Sequence, residues 1–318
     1  MISVFGSANM DLVAYVAQAP KPGETITGRE FRTIPGGKGA NQAIAAARAG
    51  ADVAFLGAVG DDAFGPGLRA ALAEAGVDTA GLRVVPGPSG VAHIVVQDGG
   101  DNSIIVVPGA NGAVTGPAGR DAEVIARSGA LLLQLELPMD AVVAAARISR
   151  AAVRHAAVRH AAVPHAAVLH AAASRAEVIL TPAPAAPLPA ELVEAVDLIV
   201  PNEHEAAALT GRDDPGDALE ALLDLVPEAV VTLGVRGALY GSRDGTRLHE
   251  PAVPVRAVDT TAAGDTFAGA LAVARTEGAA PARALRFASA AAALSVQREG
   301  ASTSMPYRHE IDRLMEDL

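Results

Sequence analysis

The chain has 318 residues, half of them hydrophobic, with 3% aromatics, no cysteine and a net charge of −11. That length suits one large domain or two modest ones, with a substantial core built mainly from Ala, Val, Leu and Ile. The absence of cysteine excludes disulfides and thiolate metal sites, and the acidic balance argues against nucleic-acid binding, leaving any anionic nucleotide to helix N-termini, glycine loops and single cations.

In chain order, residues 2–6 predict a strand ending at a glycine, and 12–34, punctuated by Pro20, Pro22, Gly23 and Gly28, predict small strands and turns. Helices are expected over 40–49 and 66–75, with a buried strand at 53–56 between them. Residues 90–108 alternate around a Gly99–Gly100 turn region and predict a hairpin. From 123 onward short apolar runs at 131–135, 178–180, 198–200 and 230–233 are separated by helical stretches, as in a parallel sheet covered on both faces. Long Ala-rich helices are expected over 265–277 and 281–297. No stretch reads as a membrane span: the Ala-rich runs at 141–173 and 288–296 are interrupted by polar residues. The first ten residues lack the pattern of a secretory signal, so a cytoplasmic protein is expected.

Residues 151–170 are four pentapeptides that place His155, His160, His165 and His170 five apart. Five helical residues advance about 500°, roughly 140° past a full turn, so the four rings do not share a face. Pro164 also interrupts a helix. The segment therefore reads as a low-complexity insertion rather than a metal site.

Four segments suit chemistry. At 258–267 the run VDTTAAGDTF opens a helix rich in small residues. Free N–H groups there suit a phosphoryl group gaining negative charge, and Asp265 beside them suits a base that takes a hydroxyl proton. An equally open reading makes Asp265 a helix N-cap. At 36–41, GGKGAN allows close approach of backbone to a ligand, with Lys38 and Asn41 as donors, or is a tight strand-to-helix turn; it has neither Walker nor dinucleotide spacing. At 201–205, PNEHE opens a helix, where Asn202 and Glu205 suit metal-bound phosphates or a plain helix-start preference, and His204 faces solvent or packs on the helix. At 232–237, TLGVRG is a strand end and glycine turn of the kind nucleotides lie over. Asn9 and Asp11, just past the first strand, suit sugar hydroxyls or a turn.

Together with the segments 6–11, 22–25, 60–62, 108–111, 134–136, 182–184 and 300–304, these motifs in this order resemble the ribokinase-like carbohydrate kinase family over nearly the whole chain. The resemblance implies a single α/β domain over 1–318, with a mostly parallel central sheet, helices on both faces and a small β-sheet lid. The lid is expected at about 12–34 and 90–108, where family members often form a homodimer. The implied activity is ATP-dependent phosphorylation of D-ribose at the 5-hydroxyl, with Asp265 as base and Ala262, Ala263 and Gly264 as an anion hole. Asn9, Asp11, Gly37, Lys38, Asn41 and Glu136 resemble the sugar-binding set. Asn202 and Glu205 match positions near the phosphates and Mg²⁺, and Thr232, Gly234, Gly237 and Gly264 match the nucleotide site. Asp259, Thr261, Ser295, Arg298, Gly300 and Ser304 match loop positions that hold an activating monovalent cation, usually K⁺, several of them through backbone carbonyls. Two positions depart from the family: Thr181 stands where Asn is common, and Val235 where a hydroxyl residue is frequent. A kinase for another sugar or a nucleoside, or a non-catalytic sugar-binding protein, are the alternatives.

Overall fold

A computed structural model describes residues 1–99, 102–160 and 176–318. The first half runs β1 (Ile2–Phe5), β2 (Asn9–Val16), β3 (Glu30–Gly36), α1 (Lys38–Arg48), β4 (Val53–Gly60), α2 (Gly65–Glu74), β5 (Asp78–Val85), β6 (Gly90–Gln97) and β7 (Asn102–Val107). It continues through α3 (Asp121–Arg127), β8 (Ala130–Leu133), α4 (Met139–His160), β9 (Glu177–Leu180), α5 (Ala190–Val193), β10 (Leu198–Ile199), α6 (Glu203–Thr210) and α7 (Pro215–Leu225). The chain closes with β11 (Glu228–Thr232), β12 (Ala238–Ser242), β13 (Arg247–Glu250), α8 (Ala263–Thr276), α9 (Pro281–Ser295) and α10 (Arg308–Asp317).

Nine strands form the main sheet in the order β13-β12-β11-β10-β9-β8-β1-β4-β5. The seven from β11 to β5 are parallel, while β12 and β13 pair antiparallel at one edge. β1, β4 and β8 are buried along their whole length, which is why they read as apolar runs, with Ser3 the one polar residue among them. Alternate residues face two cores. Ile2, Val4, Phe55 and Leu132 pack with α1, α2, α8, α9 and α10. Phe5, Leu56, Leu131 and Leu133 pack with α3 to α7. Glycine lets α1 and α8 come close: a Cβ at Gly269 of α8 would lie 2.7 Å from the Gln42 carbonyl of α1.

The expected parallel sheet with helices on both faces is thus present, as are the helices and the hairpin. The first helix begins two residues earlier than expected, at Lys38. Three strands were not foreseen: β5, interrupted by Gly81, and the edge pair β12 and β13. Residues 151–160, half of the His-repeat, prolong α4, and the other half, with His165 and His170, lies outside the described residues. Among the described residues no helix is long and apolar enough to cross a membrane.

A second sheet, in the order β3-β2-β6-β7, stands apart from the main one. Its middle pair is parallel and its outer pairs are antiparallel. Asn111 stitches its base. The side chain donates to the Ala8 carbonyl (3.2 Å) and to Asn9 Oδ1 (2.7 Å), and accepts from the Ala8 N–H (3.1 Å). Asp62 does the same at the other entry, accepting from the Ser89 hydroxyl (2.7 Å) and N–H (2.8 Å) just before β6.

At the opposite, N-terminal edge of the main sheet, Arg275 near the end of α8 forks onto Glu228 at 2.7 and 3.0 Å and also pairs with Glu177. Tyr240 donates to the same Glu228 at 2.7 Å. This partly buried network fixes the foot of the helix whose other end carries Asp265.

Candidate active site

In open α/β sheets ligands lie beyond the C-terminal strand ends, where the strand order reverses. Here that point is β1, flanked by β4 on one side and β8 on the other. The segments leaving β1 and β8 bring Ser7, Asn9 and Glu136 together. Glu136 Oε2 accepts from the Ser7 hydroxyl, from the Lys38 N–H (3.0 Å) and from Asn9 Nδ2 (3.5 Å).

Glycine makes the next layer possible. Gly37 has φ 92°, which L-residues seldom adopt, and a Cβ there would lie 2.7 Å from the Asn9 N. A Cβ at Gly39 would lie 2.5 Å from the Ser7 N and 2.7 Å from Gly6. The start of α1 therefore rests directly on backbone, bringing Lys38, Asn41 and Gln42 over the strand ends.

Asp265 is the third residue of α8 and is 8% exposed. The N-cap reading does not hold: the cap is Ala262, and the carboxylate points elsewhere. Its Oδ2 accepts from Asn41 Nδ2 (3.2 Å) and its Oδ1 from Gln42 Nε2 (3.0 Å). Burial pushes the Asp265 carboxyl above its usual range, against the pull of Lys38 and of those two donors. Burial also raises Asp11, to about 7, with Glu136 and Asp265 adding to the shift and Lys38 opposing it. Burial disfavours the Lys38 ammonium, but Asp265, Glu136, Glu205 and Asp11 outweigh it and hold its pKa high. The cluster is thus one cation among carboxylates at the mouth of the sheet.

Ala262 has φ 58° and is, among the described residues, the sole non-glycine with positive φ. This conformation costs an L-residue about 1–2 kcal/mol. It turns the chain sharply into α8, whose first N–H groups have no carbonyl within the helix. Of the three expected anion-hole residues, Ala263 already donates its N–H to the Thr260 carbonyl at 3.2 Å. A Cβ at Gly264 would meet nothing within 4 Å, so the space over the helix start is open. Asn41 Oδ1 is buried without a hydrogen-bond partner, an acceptor awaiting a donor.

The residues expected on the nucleotide side gather at the ends of β10 and β11, where Asn202 bridges Thr232. Asn202 and Glu205 form a capping box: Asn202 Oδ1 accepts from the Glu205 N–H (2.8 Å) and Glu205 Oε2 from the Asn202 N–H (2.9 Å). The helix-start reading is therefore realised, with Glu205 Oε1 outside the box. Burial raises the Glu205 carboxyl, against its bond to Asn202 and the charge of Lys38. Gly234 (φ 57°) and Gly237 (φ 92°) shape the turn after β11, and a Cβ at Gly237 would lie 2.0 Å from the Glu250 carbonyl. Val235 on that turn is 94% exposed. His204 is exposed, as expected.

The loop residues also converge. Asp259 accepts from the Thr261 N–H (2.9 Å) and hydroxyl (2.6 Å) and from the Gly300 N–H (2.9 Å). Burial opposes its charge, but those bonds win and hold its pKa low. Ser295 and Ser304 donate to the Ala292 and Ala301 carbonyls, and Arg298 pairs with Glu310. Among the described residues no cluster of three or more His, Asp or Glu could hold a metal. Thr181 Oγ1 is buried without a partner.

Sequence reasoning missed Ser7, Gln42 and Asn111 as site-building residues. Gln42 sat unnoticed directly after the GGKGAN run, and Asn111 within a segment quoted only for its resemblance.

Comparison with known proteins gives a consistent picture. The family model described as pfkB family carbohydrate kinase matches residues 1–308. The chain is 40% identical to the ribokinase of Bacillus subtilis (strain 168), over 99% of each chain. Among solved structures it is similar to the Thermotoga maritima ribokinase, with TM-score 0.85, 36% identity and 99% of each chain covered. It is also similar to an Arabidopsis thaliana ribokinase complexed with ribose and ATP, with TM-score 0.86 and 34% identity, covering 99% of this chain and 98% of that one.

Proposed function

Because this chain belongs to the pfkB family of carbohydrate kinases, we propose that it transfers the γ-phosphoryl group of ATP to the 5-hydroxyl of D-ribose, giving ribose 5-phosphate and ADP. The observation that carries this reading is Asp265: a buried carboxylate held by two amides, beside an open helix N-terminus. The sugar lies against Asn9, Asp11, Gly37, Lys38, Asn41 and Glu136, with Asn41 Oδ1 taking a hydroxyl proton donor it otherwise lacks. Asp265 takes the proton from the attacking hydroxyl as the new O–P bond forms. The N–H groups of the first turn, with Gly264 leaving them uncovered, steady the charge on the transferring group. Lys38 adds a fixed positive charge beside the reacting centre. ATP lies over Asn202, Glu205, Thr232, Gly234 and Gly237.

Glu205 suits Mg²⁺ by its oxygen chemistry, and its carboxylate oxygen outside the capping box would be the one available to hold the ion. Mg²⁺ would neutralise phosphate charge. Asp259, Thr261, Ser295, Arg298, Gly300 and Ser304 would hold a K⁺ ion through backbone carbonyls, since the Asp259 carboxylate and the Arg298 guanidinium are engaged with protein partners.

ADP release with ribose, fructose, adenosine and no acceptor tests the reading. Ribose-dependent turnover is expected; turnover with adenosine alone would sink it. Asp11 adds a pH signature. Its carboxyl titrates at about 7, so the ionised acceptor forms as pH rises from 6 to 8. The KM for ribose is expected to fall over that range, and Asp11→Asn to flatten the slope.

The small sheet is the lid, and it is also the proposed homodimer contact. Its edge strand β7 exposes Ile104, Ile105, Val106 and Val107, an apolar row that water covers poorly. Sedimentation equilibrium should show a dimer that Ile105→Lys converts to monomer; a monomeric wild type would refute the contact.

A further inference from the structure

We propose that Gln42 is a positioning residue for Asp265, aimed in turn by Gln134; this rests on Asp265 being the base. Gln42 is completely buried and donates from Nε2 to Asp265 Oδ1 at 3.0 Å. Its own Oε1 accepts from Gln134 Nε2 at 2.6 Å, and Gln134 is 1% exposed. A carboxamide has two unlike ends, and that asymmetry makes the chain directional. The Asp265 carboxylate calls for the Gln42 NH₂, which turns the Gln42 oxygen toward the Gln134 NH₂, while Gln134 Oε1 is buried without a partner. Reversed, Gln42 would set an oxygen against a carboxylate. Gly6 makes room for the second link, since a Cβ there would lie 2.2 Å from Gln134 Oε1. Gly269 sets the gap between α1 and α8 that the first link spans.

With Asn41 on Oδ2 and Gln42 on Oδ1, each carboxylate oxygen has one donor, which fixes the plane of the group. The two donors also favour the ionised form against burial. The charged groups around Asp265 are Lys38 from α1, Glu136 beyond β8 and Asp11 from β2; Lys38 favours ionisation and Glu136 opposes it. Asn41 is one of the proposed sugar contacts. Gln42, without exposed surface, reaches the reaction only through Asp265.

The test is the pH profile of kcat at saturating ribose and ATP, where the acid limb reports the base in the bound state and Asp11 acts on KM instead. Gln42→Met keeps the side-chain shape and removes the donor. Its acid limb should move to higher pH by about one unit, cutting kcat about tenfold below the limb and little above it. Gln134→Met should move the limb in the same direction by less, and it carries the test if Gln42→Met fails to fold. Thermal melts and ADP binding verify the fold of each variant. An unchanged limb in the folded variants, with Asp265→Asn inactive, overturns the positioning role and leaves the base standing. An active Asp265→Asn removes the base and this inference with it.

Discussion

Asp265→Asn should lower kcat by about 10²–10⁴-fold, the range that a general base supplies. Nucleotide and sugar binding should persist, because the amide keeps the shape and one acceptor for the Asn41 and Gln42 donors. Stability should move the other way. The folded carboxyl is held above its ordinary range, chiefly by burial. A group raised in this way contributes stability at low pH that is lost as pH rises through the folded value. Asparagine cannot ionise, so the variant escapes that loss. Its melting temperature should match the wild type at low pH and exceed it at pH 8. ADP release and melts at two pH values check both halves. Turnover within tenfold of wild type would end the case for Asp265 as base.

Gly39→Ala should be damaging although it is conservative. Helix propensity alone favours Ala by about 1 kcal/mol. The new Cβ, however, would lie 2.5 Å from the Ser7 N and 2.7 Å from the Gly6 Cα. Those atoms are backbone at the end of β1 and cannot swing aside. Overpacking of this kind costs about 1–3 kcal/mol, the upper end being apt where backbone meets backbone. The clash therefore wins, and α1 must lift. Lys38, Asn41 and Gln42 lift with it. A fall of several degrees in melting temperature and a rise of at least about tenfold in the ribose KM are expected. Gly264→Ala is the contrast. Nothing lies within 4 Å of its new Cβ, so stability should hold while kcat falls as the methyl crowds the space over α8. A Gly39→Ala enzyme with normal stability and KM would show that α1 has slack which the packing denies.

The parts of the fold that announced themselves were those with one environment along their length. β1, β4 and β8 are buried on both faces, so apolar runs betray them. β5 alternates between half-covered and exposed positions except at the buried Leu82, and Gly81 breaks the pattern. β12 is five residues that mix Leu239 and Tyr240 with Ala, Gly and Ser, and β13 is a half-exposed edge. α10 is strongly polar, with Ile311 its one fully buried anchor. In the site, Asp265 and the glycine run were visible because close backbone approach demands glycine in local sequence. Gln42 was not, because its partner is 223 positions away and its neighbours on α1 are mostly alanine. The His-repeat broke a pattern without indicating a role.

The stitching at Asn111 and Asp62 has a mechanical consequence. The chain enters and leaves the small sheet at Ala8–Asn9, Gly36–Gly37, Ser89–Gly90 and Asn111, all gathered at one end. The sheet is therefore a lever with a fixed fulcrum. Asp11 sits two residues out along β2 and Val16 seven, roughly 7 and 23 Å at strand spacing. A swing of about 10° carries the tip about 4 Å but Asp11 only about 1 Å. A lid swinging on this base would move its tip far more than the residues nearest the pivot, which would keep their aim.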